Sequence, residues 1–192
     1  MTSTDDPYVL QRFVEAQSPV IEQVEAELAA GHKTSHWIWY VFPQIVGLGY
    51  SAMSLHFAVD GPGEAAAFLA HPVLGPRLRS LTATINRVEG RTALEILGTP
   101  DDLKFRSSMT LFDAVAPGDV FRAALDRYFE GVGDPLTLEM IRDGAPAEEL
   151  LLAAPAPALA PEGIVGAGNR RGGLDWLRRL RGLRRGLGSR RD

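Results

Sequence analysis

The 192-residue chain contains no cysteine. That absence excludes disulfides, thiolate metal sites and cysteine nucleophiles. Lysine is nearly absent: only Lys33 and Lys104 stand among 20 basic residues, the rest being arginine. Each lysine therefore attracts notice. No apolar run approaches the roughly 20 residues needed to cross a bilayer. The acidic start through Asp5-Asp6-Pro7 lacks the apolar stretch of a signal peptide. Together these predict a cytoplasmic location. No GxGxxG or Walker-type run occurs, and Gly47-Leu48-Gly49 and Gly61-Pro62-Gly63 read as turns. The histidines at 32, 36, 56 and 71 form no HExxH motif, so no metal and no cofactor are expected.

What is present is unevenly charged. Residues 1–143 hold 11 basic and 19 acidic side chains, whereas residues 144–192 hold 9 arginines and 5 acids. An acidic body and a basic tail follow. The body, residues 1–143, is expected to be one all-α domain. Residues 144–172, rich in Ala, Pro and Gly, read as a disordered linker. Residues 173–192 read as a short amphipathic segment, with Trp176, Leu180, Leu183 and Leu187 on one stripe and arginines elsewhere.

Within the body, Asp6-Pro7 and Ser18-Pro19 each place a capping side chain before a first-turn proline. The second pair opens an expected helix from Pro19 to Ala30, stopped by Gly31. Further helices are expected over 35–42, 64–70, 73–88, 92–97, 120–129 and from Asp134-Pro135 to Gly144. Thr99-Pro100-Asp101-Asp102 reads as a cap, a first-position proline and a capping box. Residues 51–59 carry an alternating pattern, but a helix is preferred there because their neighbours are helical.

The richest stretch is His36-Trp37-Ile38-Trp39-Tyr40-Val41-Phe42-Pro43-Gln44, followed by Gly47-Leu48-Gly49. Two of the three tryptophans sit here, and aromatic side chains dominate core energetics. Together with Gly31-x-Lys33, Arg12-Phe13, Leu69-x-His71-Pro72, and Asp102-x-Lys104-x-x-Ser107-Ser108-Met109-Thr110-Leu111-Phe112, this run resembles the signature of a bacterial family catalogued as domain of unknown function 1810. The resemblance covers about residues 5–143. It implies a multihelical fold with two buried central helices, mapped here to 35–42 and 100–115. It implies no reaction. Phe57 stands where the family pattern leads one to expect tyrosine.

The polar residues inside the two central helices are the candidate site: His36, Gln44, Lys104, Ser107 and Ser108, with Trp37 as a wall. Lys104 and Ser108 are four apart, hence on one helix face. A desolvated lysine beside a serine suits a base, with His36 as the alternative base. The same set suits a pocket for a small anionic, nucleotide-like ligand. A satisfied polar network fixing two helices is the competing explanation. Trp37 and Trp39, two residues apart on a helix, face different directions and cannot form one flat platform. Asp101, Asp102 and Asp113 suggest a metal site, but the first two are better explained as acids favoured by the helix dipole. The competing function is an interaction module whose arginine tail contacts an anionic membrane surface or nucleic acid.

Overall fold

In the computed structural model the described residues are 6–144. Ten helices lie among them, and no strand beyond one bridge. The expected linker and Arg-rich segment lie outside the described residues, except Gly144, which ends the last helix.

Helices α1 (Gln11–Gln17) and α2 (Ile21–Ala29) bury Phe13, Val24 and Leu28. Asp6 accepts from the Leu10 and Gln11 amides at 2.9 and 3.1 Å and so caps the entry to α1 from a distance. Ser18 does not cap α2. Its hydroxyl turns back to the Val14 carbonyl at 2.7 Å, and Val20 holds the cap position. Gly31, at φ +64°, ends that region in the left-handed conformation that glycine adopts without strain.

The expected 35–42 helix is shorter, α3 (Ile38–Val41). The chain before it is held out of the helix by the Glu27 carboxylate, which captures the Thr34 and Ser35 amides. Ile45 and Val59 then pair in a parallel bridge. The Val59 amide donates to the Gln44 carbonyl at 2.9 Å, and the Val46 amide to the Val59 carbonyl at 2.8 Å. The ambiguous 51–59 pattern thus resolves into a short helix, α4 (Ala52–His56), followed by the one extended contact.

Helices α5 (Pro62–Ala70), α6 (Leu74–Asn86), α7 (Ala93–Leu97), α8 (Asp101–Val115), α9 (Val120–Phe129) and α10 (Pro135–Gly144) lie close to the expected segments. Thr92 and Glu95 form a capping box on α7. Thr99 does not do so on α8. Pro100 occupies the cap position with no side-chain cap bond, and Asp102 Oδ1 is buried without a partner.

Helix α8 is central. It packs against α3, α5, α7, α9 and α10, and its residues 107–112 are all buried. Aromatic rings tie it to its neighbours. Phe105 meets Phe42 at 4.9 Å, and Phe112 meets Phe68 and Phe121 at 5.5 and 5.6 Å. Ring pairs of this kind add about 0.5–1.5 kcal/mol beyond their area. Among the described residues no helix is long and apolar enough to cross a membrane.

Candidate functional site

The loop between α2 and α3 is organised by one buried acid. Glu27 accepts from the Thr34 amide and hydroxyl (3.0 and 2.8 Å), the Ser35 amide and hydroxyl (3.2 and 2.7 Å) and Trp37 Nε1 (2.8 Å). Burial pushes its carboxyl up. The bonds from Ser35, Thr34 and Trp37 outweigh burial and hold it far below the usual carboxylate range. Gly31, Lys33 and the two tryptophans are thereby presented in a fixed order. The Lys33 amide adds a 2.7 Å bond to the Ile96 carbonyl.

Both lysines of the chain meet on one carboxylate. Lys33 Nζ lies 2.6 Å from Asp101 Oδ2, and Lys104 Nζ lies 2.8 Å from Asp101 Oδ1. Each ammonium also rests over one indole of the Trp-x-Trp pair, Lys33 over Trp37 at 5.1 Å and Lys104 over Trp39 at 4.6 Å. Such contacts contribute roughly 0.5–2 kcal/mol, more as they are desolvated. Burial raises Asp101, but Lys104 and Lys33 outweigh it and hold the carboxyl below its ordinary range. Lys104 is not the lone buried lysine: Lys33 is 6% exposed against 19% for Lys104.

Lys104 opens onto a groove of about 600 Å3, within the usual range for small-molecule sites. Helix α3 contributes Trp39, and the following loop contributes Gln44 and Leu48. The strap before and within α4 adds Tyr50, Ser51 and Ser54, and α8 adds Leu103 and Ser107. The start of α10 supplies Asp134. Its Oδ2 accepts from the Thr137 amide and hydroxyl at 2.8 and 2.7 Å, a cap of the kind expected before Pro135. Thr137 Oγ1 is 2.7 Å from Ser107 Oγ, so Ser107 links the groove floor to α10.

Of the six candidates, Gln44, Lys104 and Ser107 line this groove. His36, Trp37 and Ser108 do not. His36 is exposed on the Glu27-held loop. Trp37 is 1% exposed in the core, spent on Glu27 and Lys33. Ser108 is fully buried, its hydroxyl without a partner. The expected Lys104–Ser108 pairing does not form: Asp101 holds the Lys104 ammonium, and the Ser108 hydroxyl is buried without a hydrogen-bond partner. His32 and His36 are four apart in sequence but lie outside any helix. Among the described residues no three His, Asp or Glu side chains converge as a metal-ligand set.

Sequence reasoning missed Trp39, Asp101 and Lys33 as partners of Lys104. The signal for Asp101 was its spacing of three from Lys104 on one helix. For Lys33 there was only its rarity.

The architecture is an all-α domain with a groove along the N-terminal half of its central helix. The chain belongs to the family described as "Protein of unknown function (DUF1810)", whose sequence profile matches residues 7–141. It is similar to the conserved hypothetical protein Rv1873 of Mycobacterium tuberculosis, known from a crystal structure, at 46% identity and a TM-score of 0.67. That match covers 71% of this chain and 98% of the other. Among curated proteins, none matches.

Proposed function

We propose that the domain binds a small anionic molecule in the groove beside Lys104. The observation that carries this reading is the sharing of Asp101 by both lysines. Two cations on one carboxylate leave that cluster with one positive charge in excess, and burial of Lys104 strengthens its field relative to water. Asp134 also lines the groove, with Oδ2 committed to capping Thr137, so the anion site is assigned to the Lys104 end. Gln44, Ser51 and Ser54 supply polar groups beside it, and Trp39, Leu48 and Leu103 supply apolar walls. This mix of apolar walls and a few convergent polar groups is typical of ligand sites. A mononucleotide-sized anion fits the volume.

The test is thermal unfolding of the full chain with inorganic phosphate, nucleoside monophosphates and small carboxylates. A ligand at about 100 times its Kd stabilises by about 2.7 kcal/mol, which raises Tm by roughly 5–10 °C for a domain of this size. Lys104→Met leaves Asp101 paired with Lys33, so the fold survives while the rise disappears. A variant that responds like the wild type overturns the reading.

A second reading rests on the charge split. The arginines beyond residue 143 suit an anionic membrane surface or nucleic acid, whereas the net negative charge of the body disfavours a polyanion such as nucleic acid there. Under this reading the body is a scaffold and the tail recruits it.

A further inference from the structure

We infer that the groove selects anions that carry a planar heteroaromatic ring, and that Tyr50 is the residue that reads the ring; this rests on the anion-binding reading of the same groove. Tyr50 is 81% exposed at the groove mouth. It takes no part in the hydrophobic core, unlike its groove neighbours Trp39 and Leu48. One face of Trp39 is already covered by Lys104. Tyr50 is thus the aromatic side chain of the groove that remains uncommitted.

The segment bearing Tyr50 is lightly anchored. From Gly49 to His56 no residue is buried. Its hydrogen bonds run mainly within the segment, apart from the exposed bond that Arg12 Nε donates to the His56 carbonyl at 3.1 Å. The Ser54 amide donates to Ser51 Oγ at 3.1 Å, and the Ser51 and Ser54 hydroxyls meet at 2.8 Å. A Cβ on Gly49 would fall 2.6 Å from Ser54 Cβ, so this close fold requires glycine. Its two ends are fixed, by the Ile45–Val59 bridge on one side and on the other by Phe57, which packs on Phe13 and Tyr40 at 5.6 and 5.3 Å. Swinging the strap over the groove breaks no buried contact, and so costs little local free energy. Closing the Tyr50 ring on a planar ligand gains stacking and apolar burial together. With Lys104 holding the anionic group, the ligand class is a phosphate or carboxylate joined to a heteroaromatic ring.

Isothermal titration of the full chain with adenosine 5′-monophosphate and ribose 5-phosphate tests this. The two probes share a sugar phosphate and differ in the ring. The wild type binds the nucleotide at least about tenfold more tightly, a stacking-sized difference. Tyr50→Ala brings nucleotide affinity down to that of ribose 5-phosphate, whose own affinity stays unchanged, and Tyr50→Phe keeps the preference. Amides of residues 49–56 exchange more slowly with the nucleotide but not with ribose 5-phosphate. Equal affinities in the wild type, or a preference that survives in Tyr50→Ala, overturn the inference while anion binding stands. If Lys104→Met leaves both affinities unchanged, or neither probe binds, the anion-binding reading falls and takes the inference with it.

Discussion

Glu27 shows how one side chain can decide the course of the chain around it. It lies at the end of α2 with donors from Thr34, Ser35 and Trp37 closing on its two oxygens. A buried carboxylate is tolerable only when so satisfied. Glu27→Gln keeps the shape but offers one acceptor oxygen and turns an NH2 group toward the donors. It should cost about 2–3 kcal/mol at neutral pH, measured by urea unfolding. The pH dependence has a definite sign. The native carboxyl is lowered, so its contribution is present above the ordinary glutamate range, near pH ~4.3, and fades as pH falls below it. The gap between wild type and variant should therefore narrow in acid. A gap independent of pH would mean the donors do not act on an ionised group. Asp101 and Asp119 are lowered too and add in the same direction, whereas burial raises Asp113, which acts oppositely.

At the scale of elements, α8 does two jobs on two faces. Its inner face carries Phe105, Met109 and Phe112, all at 0% exposure, and its outer face carries Leu103 and Lys104 toward the groove. Phe105→Ala should cost about 3–5 kcal/mol, because it removes a ring shared with Phe42, Tyr128 and Phe129 and leaves a cavity. Leu103→Ala, two residues away and 57% exposed, should change stability by less than about 0.5 kcal/mol. Comparable losses from the two would contradict the assignment of faces. Helix α3 is too short to stand by itself. Helices of four residues gain their stability from packing, and here Ile38 and Val41 supply it.

At the scale of the whole molecule, residues 1–143 are net acidic and residues 144–192 net basic. Removing residues 145–192 takes away all nine arginines that lie beyond residue 143. If the tail recruits, truncation abolishes sedimentation with phosphatidylserine vesicles or retention on DNA at low salt, and added salt weakens the intact chain's attachment in the same way. Stabilisation by groove ligands should persist in the truncated chain. Attachment that survives truncation assigns it to the body instead.

The sequence by itself determined the helical class and most element positions. Helix α9 lies over the expected 120–129, α7 falls within the expected 92–97, and α10 starts at Pro135 behind its Asp134 cap. These features are local: a cap, a proline or a glycine stop acts within one or two turns, and apolar spacing of three and four marks a buried face. The resemblance carried by the Trp-x-Trp and Lys104 motifs likewise named the family correctly. The tertiary structure alone decided where the polar residues went. Nothing within reach of Lys33 in sequence says that it will share Asp101 with Lys104, 68 to 71 positions on. That meeting depends on Glu27 bending the loop before α3, which shortened the expected helix and sent Trp37 inward and Trp39 to the groove. Which side of an all-apolar stretch faces a cavity is set by the neighbours that pack against it, and those neighbours are long-range.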